Sequence, residues 1–282
     1  MTSQLKTILL LGLLSGLIIL LGGMLGGRAG VIFAFAVAVI MNIGSYWYSD
    51  KIVLNMYRAR ELAPSDAPFL HDTVRDLATR AGIPTPRIYS VPEQAPNAFA
   101  TGRDPEHSAV AVTDGLLNLL SPEELRGVVA HEIGHIVNRD ILIQTIAGVM
   151  ASALISLANM AQFGALFGHR DNNGPGPIGG IILALLAPVA AALIQMAISR
   201  SREFLADETG AKLCGQPLAL SGALYKLSVA SGRTPLTRGN PSTAEMFVVT
   251  PLFARDGKIA SLFSSHPPIE ERMARLQNMA IN

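Results

Sequence analysis

The stretch VVAHEIGHIVNRD, Val128 to Asp140, sets His131 and His135 four residues apart with Glu132 between them. On a helix, residues i and i+4 share a face, so both imidazoles can turn toward one ion. Glu132 follows the first histidine directly, where its carboxylate can reach a metal-bound water. This is the H-E-x-x-H spacing of zinc hydrolases, in which imidazoles hold the ion and the carboxylate moves a proton. The competing reading is a helix with two surface histidines. Context argues against it: Ser121 opens a helix upstream, and Val128, Val129 and Ile133 can bury one side.

A catalytic zinc needs a third protein ligand and one open position. The H-E-x-x-H-x-x-G-x-x-H continuation is excluded, because Asn138 and Ile141 stand where Gly and His are required. His169 lies beyond a long hydrophobic run, and His71 and His107 have no supporting pattern and read as solvated. Asp140 follows His135 by five residues, about 140° round a continuous helix, and reads as a surface charge. That leaves SREFLADETGAKL, where Glu203 and Asp207 are a second i, i+4 pair. Glu203 could ligate the ion, with Asp207 accepting the N–H of a ligating histidine. The competing reading is two exposed carboxylates on an amphipathic helix.

The elements that must position these residues are unusual. Half of the 282 residues are hydrophobic and only 15% are charged. The excess collects in four uncharged runs: Thr7–Gly27, Gly30–Tyr48, Ile141–Phe167 and Pro177–Ser199. At ~1.5 Å per residue, ~20 helical residues cover the ~30 Å hydrocarbon core. A cleaved signal peptide is disfavoured for the first run: it is long, has no clear A-x-A site, and a second run follows almost at once. Lys6, Lys51, Arg58, Arg60, Arg139, Arg200 and Arg202 flank the spans on one side, and only Arg28 and Arg170 on the other. The first side is therefore expected to be cytoplasmic. Two crossings separate His135 from Glu203, so both fall on that side. If the motif helix ran unbroken into the third span, the spans themselves would place the ligands close to the bilayer.

Between the spans, Ser65 is expected to cap a helix over Asp66–Ala81, with Gly82 past its end. Arg87–Val91, Asn97–Thr101 and Ala109–Thr113 suggest a small antiparallel sheet. In SPEE, Ser121, Pro122 and Glu124 form an N-cap, first-turn proline and capping box. Glu203–Cys214, Pro217–Val229 and Pro268–Met279 read as helices, and residues 231–264 as a loop. A net charge of +1 gives no sign of a nucleic-acid partner. The single cysteine, Cys214, excludes an intrachain disulfide framework and reads as a small core residue.

HEIGH, EFLAD, PNAFATG and SSHPP, with hydrophobic spans before and between them, resemble the HtpX-type membrane metalloproteases, bacterial heat-shock proteases distantly related to the CAAX prenyl endopeptidases. The resemblance covers nearly the whole chain. It implies a zinc endopeptidase of the bacterial cytoplasmic (inner) membrane, multi-pass, with its active site facing the cytoplasm. Its expected partners are the bilayer and membrane-protein or unfolded polypeptide substrates, in quality control and the stress response. It supports one Zn2+ on His131, His135 and Glu203, with Glu132 as catalytic acid/base. It also points to Asn97, and to His266 with Arg272, as lying near the scissile bond; either of the latter two could supply a donor to the charge developing on the carbonyl oxygen. Asn97, Ala98 and Phe99 begin the best candidate for an edge strand that pairs with extended substrate.

The expected architecture is an α-helical membrane protein with four transmembrane helices and a cytoplasmic α+β zincin-like (gluzincin) catalytic domain. Residues 1–48 would be the first two spans, 49–140 a catalytic part with the HEIGH helix, 141–199 a transmembrane hairpin, and 200–282 a catalytic part with the third ligand. Two other functions compete. A CAAX-type processing protease would be expected to need more spans to enclose a chamber. A non-enzymatic scaffold or ion-handling protein would leave Glu132 without a role, and the spans carry no charge.

Overall fold

The computed structural model describes residues 3–147, 149–150, 200–231, 233–237, 246–249 and 267–281. Most of the expected third span, the linker with His169, the fourth span, much of the 231–264 loop, and His266 lie outside the described residues.

Helix α1 (Ser3–Met56) is helical along its length, yet it folds back on itself. Asn42 Nδ2 donates to Ser15 Oγ at 2.8 Å across a separation of 27 residues. A straight helix would hold them ~40 Å apart. The reversal comes at Gly27, whose φ of 54° is left-handed, a conformation glycine adopts without steric cost. The second leg, Gly27–Met56, is the one helix among the described residues long and apolar enough to cross a membrane. Only 17% of its apolar window is buried, so it is not a core helix. It exposes Ile32, Phe33, Phe35, Ile40 and Ile43. It runs past the expected end at Tyr48 and docks into the globular part through Val53, Leu54 and Tyr57, all buried. Asp50 pairs with Arg87 there at 3.0 Å.

Helix α2 (Pro68–Ala81) ends on Gly82 in the left-handed conformation, as expected, but starts later than the sequence suggested. Ser65 does not cap it: Ala67 is the N-cap and has no side-chain bond, while Ser65 Oγ bonds Asp66. The sheet is also a correction. It has four strands, β1 (Arg60–Glu61), β2 (Arg87–Val91), β3 (Ala98–Gly102) and β4 (Ser108–Thr113), in the order β1-β2-β4-β3. β4 pairs antiparallel with β3 but parallel with β2. β3 and β4 are buried at every residue. Strands covered on both faces lose the polar alternation that would have announced their neighbours.

Thr113 caps the short α3 (Asp114–Leu119), which the sequence reading did not identify. Helix α4 (Pro122–Val137) carries the expected capping box of Ser121 and Glu124. Helices α5 (Arg200–Cys214) and α6 (Pro217–Ser231) pack against it, and α7 (Ile269–Ile281) packs against those two. Cys214 is buried, as expected of a core residue.

Candidate metal centre

Helix α4 supplies His131, Glu132 and His135, all buried. Helix α5 lies against it at backbone contact, and glycine makes this possible. A Cβ on Gly210 would come within 2.7 Å of His131 N, and one on Gly134 within 2.9 Å of Ala206 O. The close approach carries Glu203 and Asp207, both buried, to the histidines. His135 Nε2 lies 3.5 Å from Glu203 Oε1, and His131 Nε2 lies 3.9 Å from Glu203 Oε2. One ligand atom from each of His131, His135 and Glu203 can be chosen so that all lie within 4.8 Å of one another. An ion with ~2.0–2.2 Å bonds needs tetrahedral ligands ~3.3–3.6 Å apart, so the donor set fits after small side-chain adjustments. Glu132 Oε1 is buried beside them with no hydrogen-bond partner among the described residues.

Residues 64–280 match Peptidase family M48. The chain belongs to this family. A protein described as "Protease HtpX homolog" from Syntrophobacter fumaroxidans is 52% identical over 284 residues, spanning 99% of this chain and 100% of the relative. Another of that description, from Persephonella marina, is 55% identical over 280 residues, spanning 98% of this chain and 96% of the relative. The solved structure of S. mikatae Ste24p matches with a TM-score of 0.49 and 23% identity, covering 97% of this chain and 65% of that one. The family match and the HtpX relatives make the chain an M48 membrane metalloprotease, and the buried His131–His135–Glu203 cluster is its metal-binding candidate.

The surroundings of the M48 site set its electrostatics. Asp207 Oδ1 lies 2.9 Å from His131 Nδ1, the contact expected of a carboxylate that fixes an imidazole. Arg272, from α7, clamps Asp207 with two bonds of 2.7 Å, from Nε and Nη2. Burial alone would raise the Asp207 pKa, but Arg272 and His131 outweigh it and hold it at about 2. Burial pushes the Glu132 carboxyl up to about 7, although its carboxylate accepts a hydrogen bond from Ala100 N–H. Burial would lower His135, but the Glu203, Asp140 and Glu132 carboxylates raise it to about 9.

Asp140 is a correction. It is not a surface charge: it is 2% exposed and lies 3.6 Å from His135 Nδ1. The 140° estimate assumed an unbroken helix. Instead α4 stops at Val137, Arg139 turns left-handed with φ 58°, and Asp140 N–H donates back to His135 C=O while Arg139 N–H donates to Ile136 C=O. This Schellman turn swings Asp140 back under the helix end. It also interrupts the helix, so the condition that the motif helix run unbroken into the third span is not met; a new helical stretch covers 141–147.

The remaining site residues fall in two places. Arg272 is fully buried behind Asp207, and its Nη1 donates to Val248 O at 2.7 Å and lies 3.7 Å from Glu203 Oε2. It contacts the metal centre through these carboxylates, and its Nη2 lies 3.5 Å from both ring nitrogens of His131. Asn97, Ala98 and Phe99 are buried too. β3 is an edge strand of the sheet, as expected, but its outer edge meets residues 246–249 of the same chain.

Proposed function

We propose that this M48 protease is a zinc endopeptidase of the bacterial cytoplasmic membrane, with four spans and its site on the cytoplasmic side, that cuts misfolded or damaged membrane proteins and unfolded polypeptides in quality control. The observation that carries the reading is the buried cluster of His131, His135 and Glu203 with an unpartnered Glu132 oxygen beside it. His131, His135 and Glu203 would hold the ion. When bound, zinc supplies Lewis acidity toward a water and the scissile carbonyl.

The chain's own residues do the rest. Glu132 takes the proton of the attacking water and passes it to the leaving amine. In the metal-free protein burial raises the Glu132 carboxyl to about 7; a dication beside it favours the carboxylate, the form that takes the proton. Asp207 holds the His131 ring through Nδ1, and Arg272 keeps Asp207 charged and in place. Asp140 stands in the corresponding position for His135. His266 remains a proposed donor to the developing oxyanion. The second leg of α1 ends inside the globular part, and this supports a site held close to the bilayer, where loops of membrane proteins emerge.

The test is Glu132→Gln. The variant should bind zinc as the wild type does and lose proteolysis of casein or a membrane-protein substrate by ~10²–10⁴-fold, the usual contribution of a general acid–base. Wild-type turnover by a correctly folded Glu132→Gln protein would refute the mechanism.

A further inference from the structure

The outer edge of β3 carries a piece of the chain itself. Val248 N–H donates to Ala98 C=O at 3.3 Å, and Phe247 forms an antiparallel bridge with Phe99. Two side chains hold the carbonyls of the segment. Asn97 Nδ2 donates to Val249 O at 2.8 Å, and Arg272 Nη1 to Val248 O at 2.7 Å. All four residues, Met246–Val249, are buried. The Phe247 ring meets Tyr57 and Phe99 edge-on, each at 5.3 Å between centroids. Val248 lies in the other apolar cluster, with Ala98 and Ala100. Main-chain bonds from a sheet edge, with pockets for alternate side chains, are how such an edge holds an extended peptide. The same strand offers the Ala100 N–H to Glu132, so the segment lies beside the catalytic carboxylate.

We infer that Met246–Val249 is an intramolecular ligand in the protease's own peptide groove, and that the Tyr57–Phe99 pocket filled by Phe247 is a subsite for a large apolar substrate side chain. This rests on the reading that β3 receives substrate. A polypeptide must displace the segment to pair with Ala98 and reach Glu132. Among the described residues, the main-chain pairing to be broken is the Phe99–Phe247 bridge and the Val248–Ala98 bond, whereas β3 and β4 share five paired positions. The substrates selected are therefore extended segments carrying exposed aromatic or large aliphatic residues, as misfolded proteins do. Apparent affinity falls by the fraction of molecules whose groove is free, and weakening the segment restores it.

The experiment uses full-length Glu132→Gln protein in detergent, with Cys214→Ala and Met246→Cys added. It is mixed with a cysteine-free peptide bearing a central Phe; binding is followed by fluorescence anisotropy and exposure of position 246 by maleimide labelling. Labelling should accelerate about tenfold as the peptide saturates, and Phe247→Ala should tighten peptide binding about tenfold. A peptide that binds without changing the labelling rate, or that binds more weakly to Phe247→Ala, would make the segment a fixed wall and overturn the inference. If the peptide fails to bind while wild-type enzyme cleaves it, β3 is not the groove; the inference falls and the peptidase reading stands. If wild-type enzyme cleaves no polypeptide, the peptidase reading itself fails.

Discussion

Behind His131 stands a carboxylate clamped by an arginine, and both come from helices of the globular part. Asp207 is 2.9 Å from the ring, and Arg272 closes on it with two short bonds. Behind His135 stands Asp140, 3.6 Å from the ring, at the turn where the chain leaves α4 for the helical stretch over 141–147. Arg202, 4.0 Å from Asp140, sits in the first turn of α5, where the chain returns. One ligand is thus oriented from within the globular part. The other is approached by Asp140 and Arg202, which flank residues 141–199, the expected membrane hairpin. The difference is one of origin: Asp207 and Arg272 belong to helices packed within the globular part, whereas Asp140 and Arg202 stand on either side of residues 141–199.

The strongest way to break this asymmetry is at Arg272. Arg272→Met should leave the buried Asp207 charge with only its His131 contact and destabilise the protein by about 3 kcal/mol, visible as a lowered thermal midpoint. Asp207→Asn/Arg272→Met, which removes both charges, should recover much of that loss while still binding zinc more weakly. A double variant no more stable than Arg272→Met would mean that the ion pair is not what Arg272 contributes.

Asp140→Asn should have a smaller effect. Its longer contact predicts a zinc affinity lowered by about tenfold, the low end of the usual 10–100-fold for a residue behind a ligand. Competition titration with a chelator measures this. Unaltered affinity would return Asp140 to a purely structural role at the turn.

The third handle is pH. In the metal-free protein His135 is held protonated up to about pH 9 by its carboxylate neighbours, above the ordinary 6.5. The stability this gives is fully present below pH 6.5 and is lost as pH rises through about 9. Zinc must displace that proton, so its apparent affinity should rise with pH, by up to about tenfold per unit, and level off near pH 9. A flat profile across that range would show that His135 is neutral before metal binds.

Much of the site was legible because its signals are local. H-E-x-x-H on a capped helix needs only helical periodicity, and Glu203 with Asp207 repeats the same spacing on α5. Gly134 and Gly210, which let those helices touch, were in plain view but carry no pattern that names a partner. Asp140 was misread because a left-handed Arg139 is not announced by any glycine. The parallel β2–β4 pairing was missed because it depends on which strand inserts between two others, and fully buried strands give no alternation to read. The reversal at Gly27 fits the two separate hydrophobic runs read on either side of residues 28 and 29. Arg272 was noticed only through resemblance; its clamp on Asp207 joins residues 65 apart, beyond any local signal.

The central claim is that His131, His135 and Glu203 together hold the metal. Metal content per chain by mass spectrometry, for purified Glu203→Ala beside the wild type, tests it most directly. The wild type should carry close to one zinc per chain, and Glu203→Ala should lose most of it while keeping its helical content by circular dichroism. A folded Glu203→Ala protein that retains zinc at the wild-type level would contradict the account.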